Sequence, residues 1–477
     1  MGDFDNKCLR FNDSAAICIS FFAEIFYKGL SSWICEGVEM EKIVLIGAGS
    51  QNFGLGIISD IFKSGTLDGC EIFLHDIDKT TLANTKIIAN DYKEKLGVNV
   101  DIKASISRKE ALKGATFCII SIEVGKRFDL WDQDWKIPLQ YGIRQVYGEN
   151  GGPGGLFHSL RQIPPILDIC EDINAICPDA FVFNFSNPMQ RICHAVTTKF
   201  PDLKFIGMCH EIASMERQLP DLMETDLSNI EFRAAGLNHF SILLEAKYKN
   251  TGKDGYPIIK QNFSTYFADL INKHDAKPSK PGAERGVFRE LFRIYGYLPI
   301  TTDSHLGEYI QWAYSVADHD AILDFYDNYK AKCLAFYNDK SSYDHFFDPK
   351  NIGTHERVIP IIEGILGDSG YEEAAVNIPN RGYIACLPRD IVVEVPGKVN
   401  KSGVHGVSFE NYPNAFGSLL SLQSGVIQMT TDAVLNCSKH SAYLALLADP
   451  VVNDSTQAAR LLNNMLETQT RFLGYLK

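Results

Sequence analysis

The feature that most constrains this chain is an apolar run that leads directly into a glycine turn. Lys42–Ile46 is almost continuously apolar and rich in β-branched residues, as is typical of a strand buried on both faces of a parallel sheet. Gly47, Gly49 and Ser50 follow at once, and a helical apolar pattern comes next. This order predicts an α/β fold with a Rossmann-like, doubly wound sheet.

A second strand, predicted over residues 71–75, ends at Asp76. In a dinucleotide site, Gly47 would allow the tight turn, Gly49 would let the backbone approach a pyrophosphate, and the acid would bind the ribose hydroxyls of NAD. Position 52, where a third glycine is usual, is Asn. The alternative is a glycine turn in an α/β protein that binds no nucleotide.

The predicted strands and helices alternate up to about residue 230 and then give way to a mixed pattern. Further strands are predicted at 98–102, 116–121, 181–185 and 205–208, and a helix at 156–175 that Pro164 and Pro165 would kink or split. We therefore expect an NAD-binding domain over 40–230 and a second α+β domain over 231–477. Residues 1–39 are expected to be an extension outside the fold, with Met40 as the natural start.

Charge and cysteine content limit the possible partners. The 477 residues carry a net charge of −13, which argues against nucleic acid or an anionic membrane surface. No apolar stretch reaches the roughly 20 residues that span a bilayer. Twelve scattered cysteines fit reduced thiols, so a cytoplasmic protein that handles small molecules is expected.

Two short motifs follow predicted strands and carry metal-binding residue types. Cys209, His210 and Glu211 follow one strand, and Asn238 and His239 follow another. A thiolate and an imidazole can hold a divalent cation and leave positions open for substrate. On spacing alone, a buried cysteine and two hydrogen-bonded histidines are the favoured alternative.

Two further motifs lie at predicted loops. Asn184 and Asn187 end another strand, where their amides could bind sugar hydroxyls, although Asn-Pro is also a common turn signal. Glu149 is the single acid in a glycine-dense loop over residues 148–155, which favours a functional loop over a plain connector.

Taken in order, these motifs resemble glycoside hydrolase family 4, the NAD- and manganese-dependent glycosidases, which depart from the two-carboxylate rule. The ordered set also includes Asn377, Asn380 and Glu394, and the resemblance runs from about residue 41 to the C-terminus. It implies a fold related to lactate and malate dehydrogenases, and a homodimer or homotetramer.

The resemblance also implies roles for individual residues. Cys209 and His239 match the metal ligands, Asn187 matches a substrate-binding Asn, and His210 matches the proton donor. Glu149 matches an acid that raises the basicity of the catalytic base.

That base is expected at Asp303, with Tyr297 as the second choice. The alternative for Asp303 is a helix N-cap. Trp131 stands where phospho-glycosidase members carry Arg, so a non-phosphorylated α-hexoside or α-uronide is expected, although the Glu149 loop differs from the form known in α-galactosidase members.

The reaction that the resemblance implies begins with NAD-mediated oxidation at C3 of the sugar. Loss of the C2 proton, elimination of the aglycone, addition of water and re-reduction follow. The competing classes are an ordinary NAD-dependent dehydrogenase, a non-catalytic NAD-binding protein and a two-acid glycosidase.

Overall fold

The computed structural model describes residues 40–50, 53–273, 284–348, 350 and 356–477. Residues 42–477 form one compact unit. The expectation that residues 1–39 are an extension lies outside the described residues.

One mixed sheet organises this unit. Its order is β3-β2-β1-β4-β5-β6-β9-β10-β7-β8, with β11 paired to β10. The strands are β1 (Lys42–Ile46), β2 (Glu71–His75), β3 (Asp101–Ser105), β4 (Phe117–Ile120), β5 (Phe181–Asn184), β6 (Lys204–Gly207), β7 (Ile230–Leu237), β8 (Phe240–Tyr248), β9 (Glu372–Pro379), β10 (Val392–Asn400) and β11 (Gly403–Gly406).

The first six strands pair in parallel, and they confirm the predicted doubly wound sheet. β9 joins β6 in the antiparallel sense, and β10, β7 and β8 continue antiparallel from it. The predicted boundary at 230/231 coincides with the start of β7, but the strands of both predicted domains share one sheet. The division into two domains stays a prediction.

Helices and short helical turns connect the strands. The α-helices are α1 (Gly54–Lys63), α2 (Lys79–Leu96), α3 (Arg108–Leu112), α4 (Arg127–Gln140), α5 (Gly152–Ile176), α6 (Met189–Lys199), α7 (Ala213–Met223), α8 (Tyr256–Lys273), α9 (Gly286–Tyr295), α10 (Asp303–Leu306), α11 (His319–Ala335), α12 (Ser341–Asp344), α13 (Val358–Leu366), α14 (Asn414–Leu435), α15 (Lys439–Ala448), α16 (Ser455–Thr468) and α17 (Thr470–Leu473).

The apolar run of β1 is explained by burial on both faces of the sheet. Ile43 and Leu45 pack into one hydrophobic cluster, and Val44 and Ile46 pack into the other. Successive side chains of a strand point to opposite faces, so a strand covered on both sides must be apolar throughout.

Two predictions of local secondary structure differ from the structure. The strand predicted at 98–102 begins at Asp101, because the Val98 N–H donates to Lys93 O and closes the end of α2. The predicted helix around Pro164 and Pro165 runs unbroken through both prolines as α5. Within the described ranges, no helix is long and apolar enough to cross a membrane.

Candidate active site

A cavity of about 1120 Å³ opens at the carboxyl ends of β1, β2, β4, β5 and β6. Open α/β sheets bind their ligands at this edge, where the loops after the strands meet. Nine of the ten predicted site residues line the cavity, namely Gly47, Gly49, Ser50, Asp76, Glu149, Asn187, Cys209, His210 and His239.

The glycine turn after β1 has no room for side chains. Gly47 has a φ of +82°, and a Cβ there would lie 2.1 Å from Ser121 O. A Cβ on Gly49 would lie 2.1 Å from Cγ2 of Thr81. Gly47 therefore requires glycine, a side chain at Gly49 would have to displace Thr81, and the turn brings bare backbone to the cavity wall.

Asp76 is tied to this turn. Its Oδ2 accepts the Gly49 N–H at 3.0 Å, and its Oδ1 accepts the Asp78 N–H at 2.9 Å. The Tyr337 hydroxyl donates to Gly49 O at 2.8 Å from the opposite side of the turn. Each carboxylate oxygen keeps a second acceptor position, so Asp76 can still bind a ribose hydroxyl.

Cys209 and His239 meet although 30 residues separate them. Cys209 follows β6, His239 lies in the turn between β7 and β8, and Cys209 Sγ is 3.3 Å from His239 Nε2. His239 adopts a φ of +60° in this turn. Among the described residues, no group of three or more potential metal ligands is found.

The electrostatic environment of the pair suits a cation. Burial raises the pKa of the Cys209 thiol well above its usual value, and Glu394 and Glu211 add to the rise. Burial also lowers the pKa of His239 well below its usual value. A neutral imidazole is ready to ligate, whereas the thiol needs a nearby cation to ionise.

Glu394 holds the turn that carries His239. The buried carboxylate accepts the Asn238 amide at 2.8 Å, the Ser241 hydroxyl at 2.9 Å and the Asn377 amide at 3.3 Å. The sequence motif around Glu394 supported the family resemblance, but it gave this residue no role.

His305 is a site residue that the sequence did not single out. Its ring stacks on that of His239 with centroids 4.3 Å apart. Its Nδ1 lies 4.0 Å from Glu149 Oε2 and 3.9 Å from Glu308 Oε2. Burial would lower the pKa of His305, but Glu308 and Glu149 outweigh it and raise that pKa to about 9.

Asp303 does not line the cavity, and its position argues against the predicted role as base. The fully buried carboxylate accepts backbone N–H groups from Gly286 at 2.6 Å, Phe288 at 3.0 Å and Asp318 at 3.3 Å. It therefore caps the start of α9. The cavity lining does not include Tyr297 either, which packs against Tyr256.

His210 and Asn187 both reach the cavity. His210 is exposed there, with its ring centroid 6.3 Å from that of Phe53. Asn187 is half-buried, and its Oδ1 accepts the Met189 N–H at 3.3 Å, which leaves the amide nitrogen directed at no described acceptor.

Comparisons with known proteins agree with this geometry. The family described as family 4 glycosyl hydrolase matches residues 42–225, and its C-terminal domain matches residues 234–452. An α-glucosidase from Erwinia rhapontici is 48% identical over 462 residues, covering 91% of this chain and 99% of the relative. An α-galactosidase from Bacillus subtilis (strain 168) is 30% identical, covering 86% and 93%.

A solved structure shows the same fold. The 6-phospho-α-glucosidase from gut microorganisms in complex with NAD and Mn2+ superposes with a TM-score of 0.78 at 20% identity, covering 92% of this chain and all of that one. Both family domains match in order along the chain, and together they cover most of it. The chain belongs to family 4 of the glycosyl hydrolases and is a glycosidase.

Proposed function

We propose that this protein hydrolyses a non-phosphorylated α-hexoside or α-uronide with bound NAD and a divalent metal ion, with manganese as the first choice. One observation carries the proposal: the glycine turn with Asp76 and the Cys209–His239 pair open into the same cavity. A dehydrogenase site would explain the turn but would leave the thiol–imidazole pair without a role.

The residues present fit both groups. Gly47 and Gly49 present bare backbone that a pyrophosphate could approach, and Asp76 would offer carboxylate oxygens to a ribose. Cys209 and His239 supply one sulfur and one nitrogen ligand, which leaves coordination positions for sugar oxygens. When bound, NAD supplies a reversible hydride acceptor for C3 of the sugar, and the metal supplies a Lewis acid for a sugar oxygen.

The chain's own side chains would then bind the sugar and move protons. His210, exposed in the cavity beside Cys209, would give a proton to the leaving glycosidic oxygen. Asn187 would hold sugar hydroxyls with its amide. Glu149, fixed by Arg127 at 2.6 Å and lining the same cavity, would accept the proton that leaves C2.

Asp303 has no part in this scheme, because its oxygens are occupied by backbone donors outside the cavity. Tyr147 lines the cavity, and its buried hydroxyl has no hydrogen-bond partner in the described part of the chain. We assign this hydroxyl to a contact with the substrate.

The name of the 48% identical relative makes an α-glucoside the first substrate to test. The experiment is hydrolysis of nitrophenyl α- and β-glycosides in reductant, with NAD and Mn2+ each added or withheld. We expect aglycone release that needs both additions, with no net NADH. Steady NADH accumulation without aglycone release would identify a dehydrogenase instead. Cofactor binding without turnover of any glycoside would identify a non-catalytic protein.

We also propose that the protein is a homodimer or homotetramer and that it is located in the cytoplasm. Sedimentation of the purified protein tests the assembly, and fractionation of the source cells tests the compartment.

A further inference from the structure

The cavity holds an arginine whose charge is already matched by protein carboxylates. Arg127, the first residue of α4, places one terminal nitrogen 2.6 Å from Glu149 Oε1 and the other 3.2 Å from Glu123 Oε2. Its guanidinium also lies 5.1 Å from the centroid of the Trp131 ring. Both carboxylates belong to the cavity wall.

A short chain of contacts places this arginine at the sugar end of the cavity. His239 lies 3.3 Å from Cys209, its ring stacks on His305 at 4.3 Å, and His305 lies 4.0 Å from Glu149. Glu149 therefore links Arg127 to His305, whose ring stacks on that of His239, and all of these residues line the same cavity.

Glu123 is itself firmly held. His158 Nε2 lies 3.3 Å from its Oε1, and the Gln162 amide donates to the same oxygen. Burial would raise the pKa of Glu123, but His158 and Arg127 lower it overall, so the carboxylate is ionised at neutral pH. With His305 and its second partner Glu308 included, the three carboxylates Glu123, Glu149 and Glu308 face two cations, Arg127 and His305, which leaves one net negative charge.

Of the other cations of the wall, all but Arg471 have carboxylate partners among the described residues. Arg161 pairs with Asp134 at 2.6 Å, and Arg108 pairs with Asp172. His305 is enclosed by Glu149 and Glu308. Arg471 is exposed and lies 5.5 Å from the centroid of the Phe472 ring, which itself packs beside Gly125, so it is the lining arginine for which the described residues show no carboxylate partner.

We propose that Glu123 and Glu149 neutralise the charge of Arg127, so that this arginine is not available to pair with an anionic substrate. The site therefore selects uncharged hexosides and rejects both 6-phosphates and uronides. A phosphate or carboxylate buried in a cavity needs an available cation. Here the anion would meet a cluster of net negative charge. The inference rests on the proposed function and chooses between its two substrate classes; Glu123 is its specificity-determining residue.

The test compares one hexoside in three forms: uncharged, 6-phosphorylated, and oxidised to the uronide at C6. Hydrolysis of the nitrophenyl α-glucosides and binding of the methyl α-glucosides are measured for the wild type, Glu123→Gln and Asp132→Asn. Asp132 also makes an i,i+4 ion pair, with Lys136 inside α4, but it does not line the cavity. Arg471→Ala tests the remaining cation.

We expect the wild type to hydrolyse and bind the uncharged form about a hundredfold or more better than either charged form. In Glu123→Gln, this ratio of uncharged to charged substrate should fall by about tenfold. Asp132→Asn and Arg471→Ala should leave the ratio unchanged. Equal use of charged and uncharged forms by the wild type would overturn the inference, and so would an unchanged ratio in folded Glu123→Gln. Should no glycoside be hydrolysed, the binding ratios still decide this inference, while the proposed function fails separately.

Discussion

At the scale of single residues, the site depends on buried carboxylates that orient other groups. Glu394 accepts three side-chain donors at the turn that carries His239. Glu394→Gln would keep one oxygen for the Asn238 and Asn377 amides and set its N–H₂ against the Ser241 hydroxyl, which can turn to Leu237 O, so the turn would lose the carboxylate that holds it and loosen. Because partners behind a metal ligand commonly set its orientation, we expect Mn2+ affinity to fall about tenfold to a hundredfold. Titration of each purified protein with Mn2+ measures this affinity.

The matched control for that substitution is Glu372→Gln. Glu372 lies on β9, which pairs with β10, the strand that carries Glu394. Its Oε1 is 2.7 Å from Arg233 Nε, and the residue is only half-buried. Its loss removes the same charge without touching the turn. Equal Mn2+ affinities in the wild type and Glu394→Gln would contradict the positioning role.

At the scale of elements, the glycine turn joins β1 to the cavity, and its geometry can be tested. Gly47→Ala would place a Cβ 2.1 Å from Ser121 O at a φ of +82°. The turn must shift, so we expect NAD affinity to fall by about tenfold or more in a binding titration. Gly114→Ala is the control, since its φ is +71° with nothing within 4 Å of the added Cβ. Gly114→Ala should lower the stability of the protein and leave its NAD affinity unchanged. Equal losses of NAD affinity in both variants would contradict the prediction.

The start of α9 gives a second prediction at this scale. Asp303→Asn would direct an amide N–H₂ at backbone donors that now point to its carboxylate. We expect the free energy of unfolding in urea to fall by about 1–3 kcal/mol, with kcat of the folded protein unchanged. Unaltered stability combined with a loss of kcat of about a thousandfold would restore Asp303 as the base.

At the scale of the whole molecule, the parallel half of the sheet was predictable because its strands are buried on both faces and therefore almost wholly apolar. β9 was missed, since Glu372–Pro379 begins with acids and is stabilised by pairing with β6 and β10. Asp303 and His305 share one turn of helix, and only packing between distant segments turns His305 to the cavity and Asp303 to α9. Local sequence carries no signal for that choice.

A buried acid links the stability of the whole molecule to pH. Burial, reinforced by nearby Asp60, raises the pKa of Glu356 from its ordinary 4.5 to about 8. Between these two values the unfolded chain releases the proton while the folded chain keeps it, so stability falls as pH rises through this window. The side chain introduced by Glu356→Gln is neutral at every pH, so this variant does not lose stability as the pH rises. We expect it to match the wild type near pH 5 and to exceed it by about 1–3 kcal/mol near pH 8.5, measured by urea unfolding at both values. Glu410→Gln, at an exposed acid, changes the net charge equally and should show no such divergence. A constant difference across pH would mean that Glu356 acts through packing and not through its proton.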